Sequence, residues 1–248
     1  MAEPILRVCA LYPDLMNIYA DRGNLLLLER RCAWRGIGFA VVAAGLGEGI
    51  DPEAHDLFYV GGAQDRDQAL CAQDMVDTKR DALHAAADAG RVVLAVCGGY
   101  QLLGSHYELG DERIPGVGLV DLHTVREDGP RLIGNVAIEV RLPGLPGVGG
   151  TRILAGFENH GGRTHLGAGA QPLGRVLKGH GNTGASGFEG VIRDHVIGTY
   201  LHGPLLPKNA WFADWLIATA LGLDEPLAAL EDGLEDAAHA DARRVAGV

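Results

Sequence analysis

Cys97 has the surroundings of a reactive thiol. It follows the continuously apolar run RVVLAV at 91–96, which is typical of a buried parallel strand. The glycines of the following sequence GGYQLLG lead into a helical apolar pattern. Strand, nucleophile, tight turn and helix form a nucleophile elbow, whose strained backbone requires small neighbours. The helix dipole would favour the thiolate over the thiol. A buried structural cysteine before a glycine turn is the alternative interpretation.

His202 is the candidate base. It ends the apolar run VIGTYL at 196–201 and is followed by a glycine. Thiol chemistry needs a group that takes and returns a proton, and imidazole titrates near neutral pH. A strand ending at His202 would place the imidazole at the carboxyl edge of an open α/β sheet, where such sheets bind ligands. Histidines at strand ends are also common as hydrogen-bonded edge residues, and His160 and His195 are competing candidates.

A double-glycine turn, Gly61 and Gly62, follows another predicted strand. Two glycines at a strand end can turn backbone N–H groups into a pocket. Beside a nucleophile, such a pocket is an oxyanion hole, and the amide after Cys97 would be its second donor. A plain tight turn explains the two glycines equally well when they are considered alone.

Composition narrows the class of protein. Of the 248 residues 47% are apolar, which is enough for a substantial core, and 21% are charged, as in ordinary soluble enzymes. A net charge of −11 argues against binding to nucleic acid or an anionic membrane, since both need a basic surface. No run approaches the ~20 apolar residues of a transmembrane segment. The N-terminus lacks the basic region and cleavage site of a signal peptide.

Cysteine and lysine usage bears on compartment and cofactors. The four cysteines are widely spaced with no CxxC pair, which indicates neither a metal site nor a disulfide framework and fits a cytoplasmic protein. None of the three lysines follows a Gly-rich phosphate-binding loop, so no P-loop is predicted. We therefore expect no metal or cofactor in this chain. If the reaction needs ATP, another chain supplies it.

The first hundred residues alternate between strand and helix patterns. The predicted order is strand 5–11, helix 22–35, strand 39–43, strand 56–60, helix 67–89 and strand 91–96. Asp21 precedes the first helix and is predicted to cap it. This alternation predicts a parallel, doubly wound sheet.

The second half of the chain has a different pattern of predicted elements. Short β-like runs between Gly-rich turns predict antiparallel additions to the parallel sheet, at 118–125, 135–140, 152–157 and 191–200. The predicted fold class is therefore α/β, with a mostly parallel doubly wound sheet and antiparallel β additions. A helix at 207–221 follows, with Trp211 and Trp215 on one face. The glycine-rich segments 144–150 and 179–187 are predicted loops.

The last 25 residues, 224–248, are acidic and alanine-rich. Leu227, Leu230 and Leu234 fall at helical spacing, which predicts a C-terminal helical tail. The leucine stripe would pack back on its own domain or dock a partner, and the sequence leaves both open.

Taken together, the elbow, the double-glycine turn and the histidine at the strand end resemble a class I glutamine amidotransferase domain, which is flavodoxin-like in fold. Several longer segments resemble the GatD family more narrowly, the glutaminase subunits of lipid II isoglutaminyl synthase in the cobyric-acid-synthase-like branch. These segments are LYPDLMN at 11–17, YADRGN at 19–24, GGAQDR at 61–66, GFENHGGRT at 156–164 and GTYLHGPLLPKN at 198–209. The resemblance runs from about residue 6 to 221 and implies an amidotransferase domain at 1–223.

Roles follow from the resemblance residue by residue. It implies that Cys97 is the nucleophile and His202 the base, and that Gly62 and Gly98 donate to the oxyanion. Many class I enzymes have a glutamate two residues after the histidine, whereas this chain has Pro204. A Cys–His dyad is therefore expected.

Substrate binding and the orientation of the base also follow from the resemblance. Arg131 is implied to hold the α-carboxylate of glutamine, which suits a guanidinium fork. Gln101 is implied to help position the substrate. Glu158 is a guess for an acid that orients the imidazole.

The resemblance further implies a heterodimer with a MurT-like Mur ligase subunit. That partner would bind ATP and Mg and use the ammonia to amidate D-glutamate in the stem peptide of lipid II, in cytoplasmic peptidoglycan biosynthesis. One alternative is the amidotransferase part of a cobyrinic or cobyric acid amidating enzyme, although those usually carry a fused ATP-binding domain for which 248 residues leave no room. Another is a catalytically idle regulatory subunit.

Overall fold

The computed structural model describes residues 3–18, 21–143 and 150–248. The first elements within these residues are β1 (Ile5–Leu11), α1 (Arg22–Ala33), β2 (Gly38–Ala44), β3 (Leu57–Val60), α2 (Asp65–Asp74), α3 (Arg80–Asp88), β4 (Val92–Val96) and α4 (Gly98–Leu102). The remaining strands are β5 (His106–Leu109), β6 (Glu112–Pro115), β7 (Leu122–Arg126), β8 (Leu132–Val140), β9 (Arg152–His160), β10 (Gly162–Leu166), β11 (Gly174–Lys178), β12 (Phe188–Glu189), β13 (Val191–Arg193) and β14 (Val196–Thr199). The last helices are α5 (Ala210–Ala220) and α6 (Gly233–Ala246).

A six-stranded sheet forms the centre, in the order β13-β14-β4-β3-β1-β2. All neighbours pair in parallel except β13, which runs antiparallel to β14 at one edge. Every residue of β3 and β4 is buried, as expected for strands covered on both faces. The predicted doubly wound parallel sheet is confirmed.

The carboxyl ends of four neighbouring strands, β14, β4, β3 and β1, lie side by side in this sheet. Register pairs Thr199 with Val96 and Val60 with Ala95, so the segments that leave these strands begin at the same edge. In an open α/β sheet this edge is where ligands bind. The topology therefore brings the double-glycine turn, Cys97 and the segment leading to His202 to one edge.

Two four-stranded sheets contain the antiparallel additions, in the orders β10-β7-β5-β6 and β12-β11-β8-β9. The predicted runs differ from them in detail. The run 191–200 is a hairpin of two strands, and 118–121 lies outside β7. The strands β5, β6, β10 and β11 were not predicted, because polar and partly exposed residues such as those of HYEL at 106–109 hide the apolar alternation.

The predicted helix at 67–89 is also wrong in one respect. The single helix at 67–89 is two helices joined by a wider π-type turn at Met75–Lys79. Lys79 is buried at this turn, and its ammonium donates to a carboxylate oxygen of Asp74 at 2.6 Å and to the carbonyl of Gly45 at 3.0 Å. A buried ammonium needs such partners, so the turn places the lysine where it can reach them.

The predicted tail is helical only in its second part. α6 begins at Gly233, so the leucine stripe does not form a helical face, and Leu234 is 80% exposed. The preceding segment is instead irregular and is held by two arginines, one in the last turn of α1 and one just after the helix. Arg31 is fully buried and donates to Asp214 at 2.6 Å and Asp232 at 2.7 Å. Arg35 donates to the carbonyl of Ala228 at 2.7 Å.

α6 packs back onto the rest of the chain. It lies against β8, β9 and the short 3-10 turn at Leu206–Lys208. His239 Nδ1 is 2.8 Å from the carbonyl oxygen of Lys208. Of the predicted loop at 144–150, all but Gly150 lies outside the described residues, and 179–187 is irregular. Among the described residues, no helix combines the length and apolar character needed to cross a bilayer.

The Arg31 clamp generates a prediction about stability. We expect Arg31→Met to lower the free energy of unfolding by about 3 kcal/mol, because Asp232 loses its arginine partner and Asp214 keeps only Arg35. Urea denaturation followed by circular dichroism measures the change. The control is Arg244→Met, which removes an exposed arginine paired with an exposed aspartate and should change stability by less than about 0.5 kcal/mol. Equal small losses in both variants would contradict the prediction.

Candidate active site

Cys97 occupies the sharp turn between β4 and α4. Its backbone has φ 52° and ψ −108°, a left-handed conformation that a non-glycine residue rarely adopts. Its N–H donates to the carbonyl of Thr199 at 2.8 Å, which links the turn to the end of β14. Side chains are excluded next to it, since a Cβ at Gly99 would lie 2.8 Å from the carbonyl oxygen of Val60. The predicted strand, turn and helix are therefore all present.

The double-glycine turn lies directly against this elbow. A Cβ on Gly62 would lie 3.0 Å from Cβ of Cys97 and 2.7 Å from a methyl group of Ile18. The N–H of Gly98 donates to the Cys97 sulfur. The N–H of Gly62 donates to Oδ2 of Asp21 at 2.7 Å. Both amides implied as oxyanion donors thus adjoin Cys97, but the Gly62 amide already has an acceptor within the protein.

The Cys97 thiol is protonated at neutral pH. Burial raises its pKa to about 12, and the negative charge of Asp21 adds to the rise. The Gly98 hydrogen bond and the charge of Arg131 lower the pKa by less. The expectation of a thiolate stabilised by the helix dipole is therefore wrong for this state, because α4 has five residues and desolvation outweighs its effect.

His202 lies beyond the end of its strand. β14 ends at Thr199, and His202 instead forms an isolated bridge in which its N–H donates to the carbonyl of Phe157 at 3.0 Å. The prediction of a strand reaching His202 is wrong because Tyr200 N–H turns to the carboxylate of Glu189, at 2.6 Å, and leaves the ladder. Gly203 follows with φ 88°, a conformation suited to glycine.

Burial also controls the protonation of His202. It lowers the pKa of the fully buried imidazole to about 4, and His160, Lys208 and Arg131 lower it further. The imidazole is therefore neutral at physiological pH and can accept a proton. His160 is buried at the end of β9, the strand that also contains Phe157, the bridge partner of His202.

Arg131 is an exposed residue directly before β8. Its guanidinium donates from Nε to the side-chain oxygen of Asn159 at 2.7 Å and from Nη2 to the Asn159 carbonyl at 2.8 Å. Its charge acts on the pKa values of both Cys97 and His202. The structure therefore brings this exposed arginine together with both predicted catalytic residues.

Gln101 is buried and hydrogen-bonded to other side chains. Its side-chain oxygen accepts from Gln68 at 2.9 Å, and its amide nitrogen donates to the hydroxyl of Tyr200 at 3.1 Å. Tyr200 in turn contacts the hydroxyl of Thr164 at 2.6 Å. These contacts place the amide of Gln101 in a buried network, and its implied role in positioning the substrate stays a prediction.

Glu158 also has partners other than the one guessed for it. Its carboxylate accepts from the backbone N–H groups of His180 and Gly181, at 2.6 and 3.0 Å. It lies 3.6 Å from Nε2 of His160. These contacts organise the loop at 179–187 beside the site.

Two buried carboxylates near the site were not predicted. Glu189 accepts from the hydroxyl of Thr199 and the N–H of Tyr200, and burial raises its pKa to about 8. Asp21 was predicted to cap α1, but its side chain makes no capping hydrogen bond and turns to Gly62 instead. Its place in the segment YADRGN was a signal that Asp21 had a further role, but the expected helix start explained it equally well.

Comparison with known proteins identifies the family. Residues 7–210 match the CobB/CobQ-like glutamine amidotransferase domain. The chain belongs to this family of glutamine amidotransferases. Within it, the chain is 37% identical to the lipid II isoglutaminyl synthase (glutamine-hydrolyzing) subunit GatD of Streptococcus pneumoniae, over 92% of this chain and 86% of the relative. It is 38% identical to the protein of the same name from Staphylococcus aureus, over 84% and 81%.

Two solved structures share the fold of this chain. A structure of PurLQS from Thermotoga maritima covers 88% of this amidotransferase and 95% of its own chain, with a TM-score of 0.58 at 18% identity. A glutamine amidotransferase from the same organism covers 98% and 99%, with a TM-score of 0.51 at 15% identity. At this identity the two structures show the fold alone. The expected class I amidotransferase fold and the resemblance to GatD are confirmed.

The high pKa of Cys97 predicts how the thiol reacts. We expect its alkylation by iodoacetamide to accelerate steadily as pH rises from 7 to 10, because the thiolate fraction grows about tenfold per unit below the pKa. Mass spectrometry of the Cys97 peptide measures the rate. In the urea-unfolded chain, the alkylation rate of the same cysteine should level off once the pH exceeds the ordinary cysteine pKa, about 8.5. A plateau below pH 8 in the folded protein would contradict the prediction.

Proposed function

We propose that this amidotransferase is the glutaminase subunit of a lipid II isoglutaminyl synthase. Its relatives of that name align over more than four-fifths of both chains, which is the observation that supports this assignment most strongly. The arrangement of the site agrees with it. Cys97 lies in a strained elbow, and the neutral His202 follows the end of the neighbouring strand β14. The charge of Arg131 lowers the pKa values of both residues.

The proposed reaction begins with the neutral pair. Cys97 gives its proton to His202 as its sulfur attacks the side-chain carbonyl carbon of L-glutamine, and the carbonyl oxygen becomes an oxyanion. Backbone N–H groups of Gly62 and Gly98 stabilise that oxyanion. The imidazolium then protonates the departing nitrogen, ammonia leaves, and a γ-glutamyl thioester remains. His202 takes a proton from water, which attacks the thioester, releases glutamate and restores the thiol.

Arg131 is proposed to bind the α-carboxylate of glutamine. Asn159 fixes two of its guanidinium nitrogens, so the remaining edge of the fork is held in a defined direction. A carboxylate bound at this edge lies at the entrance, with the side-chain amide directed inward. This arrangement pre-orients the reacting carbon at the sulfur.

Ammonia from this site would serve a second subunit. We propose a MurT-like Mur ligase that binds ATP and Mg and amidates D-glutamate of lipid II, and we place the pair in the cytoplasm. The name of the relatives includes lipid II and describes them as subunits. The absence of a P-loop sequence in this chain agrees with ATP binding by the partner.

An amidotransferase for cobyric acid is the second candidate. The chain is 36% identical to the cobyric acid synthase of Pelotomaculum thermopropionicum, but over 49% of its own length and 25% of the relative's. The GatD relatives match far more of both chains, so lipid II amidation is the better supported function. A catalytically idle subunit is disfavoured because Cys97, His202 and the double-glycine turn are all in place.

The first test is ammonia release from L-glutamine, by the purified chain alone and with a MurT-type partner. We expect Cys97→Ala to abolish release without unfolding, because the variant lacks the sulfur that attacks the side-chain carbonyl carbon of glutamine. Cys71→Ala, which changes a buried cysteine in α2, is the matched control and should remain active. Release retained by Cys97→Ala would contradict the mechanism. With the partner, mass spectrometry of lipid II identifies the acceptor.

Arg131→Lys tests the substrate contact. We expect the KM for glutamine to rise about tenfold or more with a smaller change in kcat, because a lysine ammonium cannot hold Asn159 and a carboxylate in the fork geometry. Steady-state kinetics at saturating partner concentration measures both constants. The control is Arg152→Lys, an arginine that stacks on Trp211 at 5.0 Å. An equal effect in both variants, or a loss confined to kcat, would contradict the assigned role.

A further inference from the structure

Asp21 is a fully buried carboxylate in contact with the proposed oxyanion site. Its Oδ2 accepts the N–H of Gly62 at 2.7 Å. A Cβ added to Gly61 or to Gly62 would lie 3.3 Å from the same oxygen. The carboxylate therefore lies on the double-glycine turn, next to the residue whose Cβ position is 3.0 Å from Cys97.

This contact conflicts with the proposed chemistry. An oxyanion on the substrate and the carboxylate of Asp21 are both anionic acceptors, and the single N–H of Gly62 cannot serve both with good geometry. The carboxylate contacts Gly62, whose Cβ position is 3.0 Å from Cβ of Cys97, and its charge also raises the pKa of the Cys97 thiol that attacks the substrate. A second anion there would be repelled in this low-dielectric site.

The backbone and side chain of Asp21 are held very differently. Its carbonyl oxygen accepts from the N–H of Asn24 at 2.9 Å and from the hydroxyl of Tyr59 at 3.2 Å. Within the described residues, its carboxylate has one hydrogen bond, to Gly62, and Oδ1 is buried without a partner. Rotation of the side chain can thus release the Gly62 amide while the chain stays in place.

We propose that Asp21 is an internal cap on the oxyanion site. Its carboxylate occupies the Gly62 amide in the resting chain and must leave it before glutamine is hydrolysed. This inference rests on the proposed glutaminase function, and it makes Asp21 a positioning residue that acts through Gly62. The cap keeps the site from stabilising an oxyanion until the side chain is displaced.

The energetics of the carboxylate are consistent with a removable cap. Burial raises the pKa of Asp21 to about 7, and the Gly62 hydrogen bond offsets part of that rise. An unpartnered buried oxygen carries a desolvation cost that release into a more polar surrounding relieves. One charge-assisted hydrogen bond therefore holds the carboxylate at Gly62, while burial disfavours its charged form.

Variants of Asp21 test the cap through kinetics of the isolated chain. We expect Asp21→Ala to raise kcat for ammonia release about tenfold or more, with little change in KM, because the freed amide acts on the oxyanion and not on bound glutamine. Asp21→Asn keeps the shape with a weaker acceptor and should give a smaller gain. Urea denaturation confirms that each variant is folded.

Asp65→Asn is the matched control. Asp65 is exposed, and its charge also raises the pKa of Cys97, but it does not contact Gly62. Its removal should leave kcat within about twofold. A gain confined to the Asp21 variants supports the cap. An equal gain in Asp65→Asn, or no gain or a loss in folded Asp21→Asn and Asp21→Ala, overturns it.

The Gly62 amide gives a second readout that needs no glutamine. In nuclear magnetic resonance spectra of the wild-type chain, its proton should shift upfield as pH falls through about 7, because the neutral carboxyl is a weaker acceptor. The titratable groups facing Asp21 are Tyr59 and Cys97, whose pKa values burial raises far above this range. Asp21→Asn should abolish the shift.

An unchanged Gly62 proton between pH 5 and pH 9 in the wild-type chain overturns the cap. This readout also separates the two hypotheses. If the wild-type chain with its partner releases no ammonia, the proposed function fails, whatever the Gly62 proton does. If ammonia is released and the Gly62 proton does not titrate, the cap alone fails.

Discussion

The left-handed backbone of Cys97 is the constraint on which the other parts of the site depend. A turn with φ 52° persists because hydrogen bonds hold it from both sides, Cys97 N–H to Thr199 and Gly99 N–H to the carbonyl of Gly61 at 3.1 Å. Those bonds require the ends of β14, β4 and β3 to be level with one another, which parallel pairing in register provides. The close contacts around the turn also require glycine at positions 62 and 99. Gly62, which leaves room for Cys97, is therefore also a source of a backbone N–H beside it.

Desolvation determines the charge state of the site more than any partner does. It keeps Cys97 as a thiol and His202 as a neutral imidazole. Glu189 follows the same rule, although hydrogen bonds from the Thr199 hydroxyl and the Tyr200 N–H favour its ionised form. Catalysis in such an interior must create charge during the reaction. The placement of N–H donors then matters more than a pre-formed ion pair.

The sequence predicted the central sheet and the placement of Cys97 well, because long apolar strands ended by glycines have few other interpretations. It did not predict that Gln101 joins a buried amide and hydroxyl network, since the partners Gln68 and Tyr200 come from other elements. Asp21 fitted a helix cap locally, and its contact with Gly62 crosses about 40 residues of chain. Local patterns specify elements, while such contacts depend on how the elements assemble.

Helix α1 connects two regions that are far apart in sequence. It begins directly after Asp21 and carries Arg31, about 15 Å further along its axis, into the pair of carboxylates from α5 and the C-terminal segment. An α-helix transmits displacement along its axis with little compression, because every turn is hydrogen-bonded to the next. The C-terminal segment that holds Asp232 and the carboxylate that contacts Gly62 are therefore attached to opposite ends of one helix.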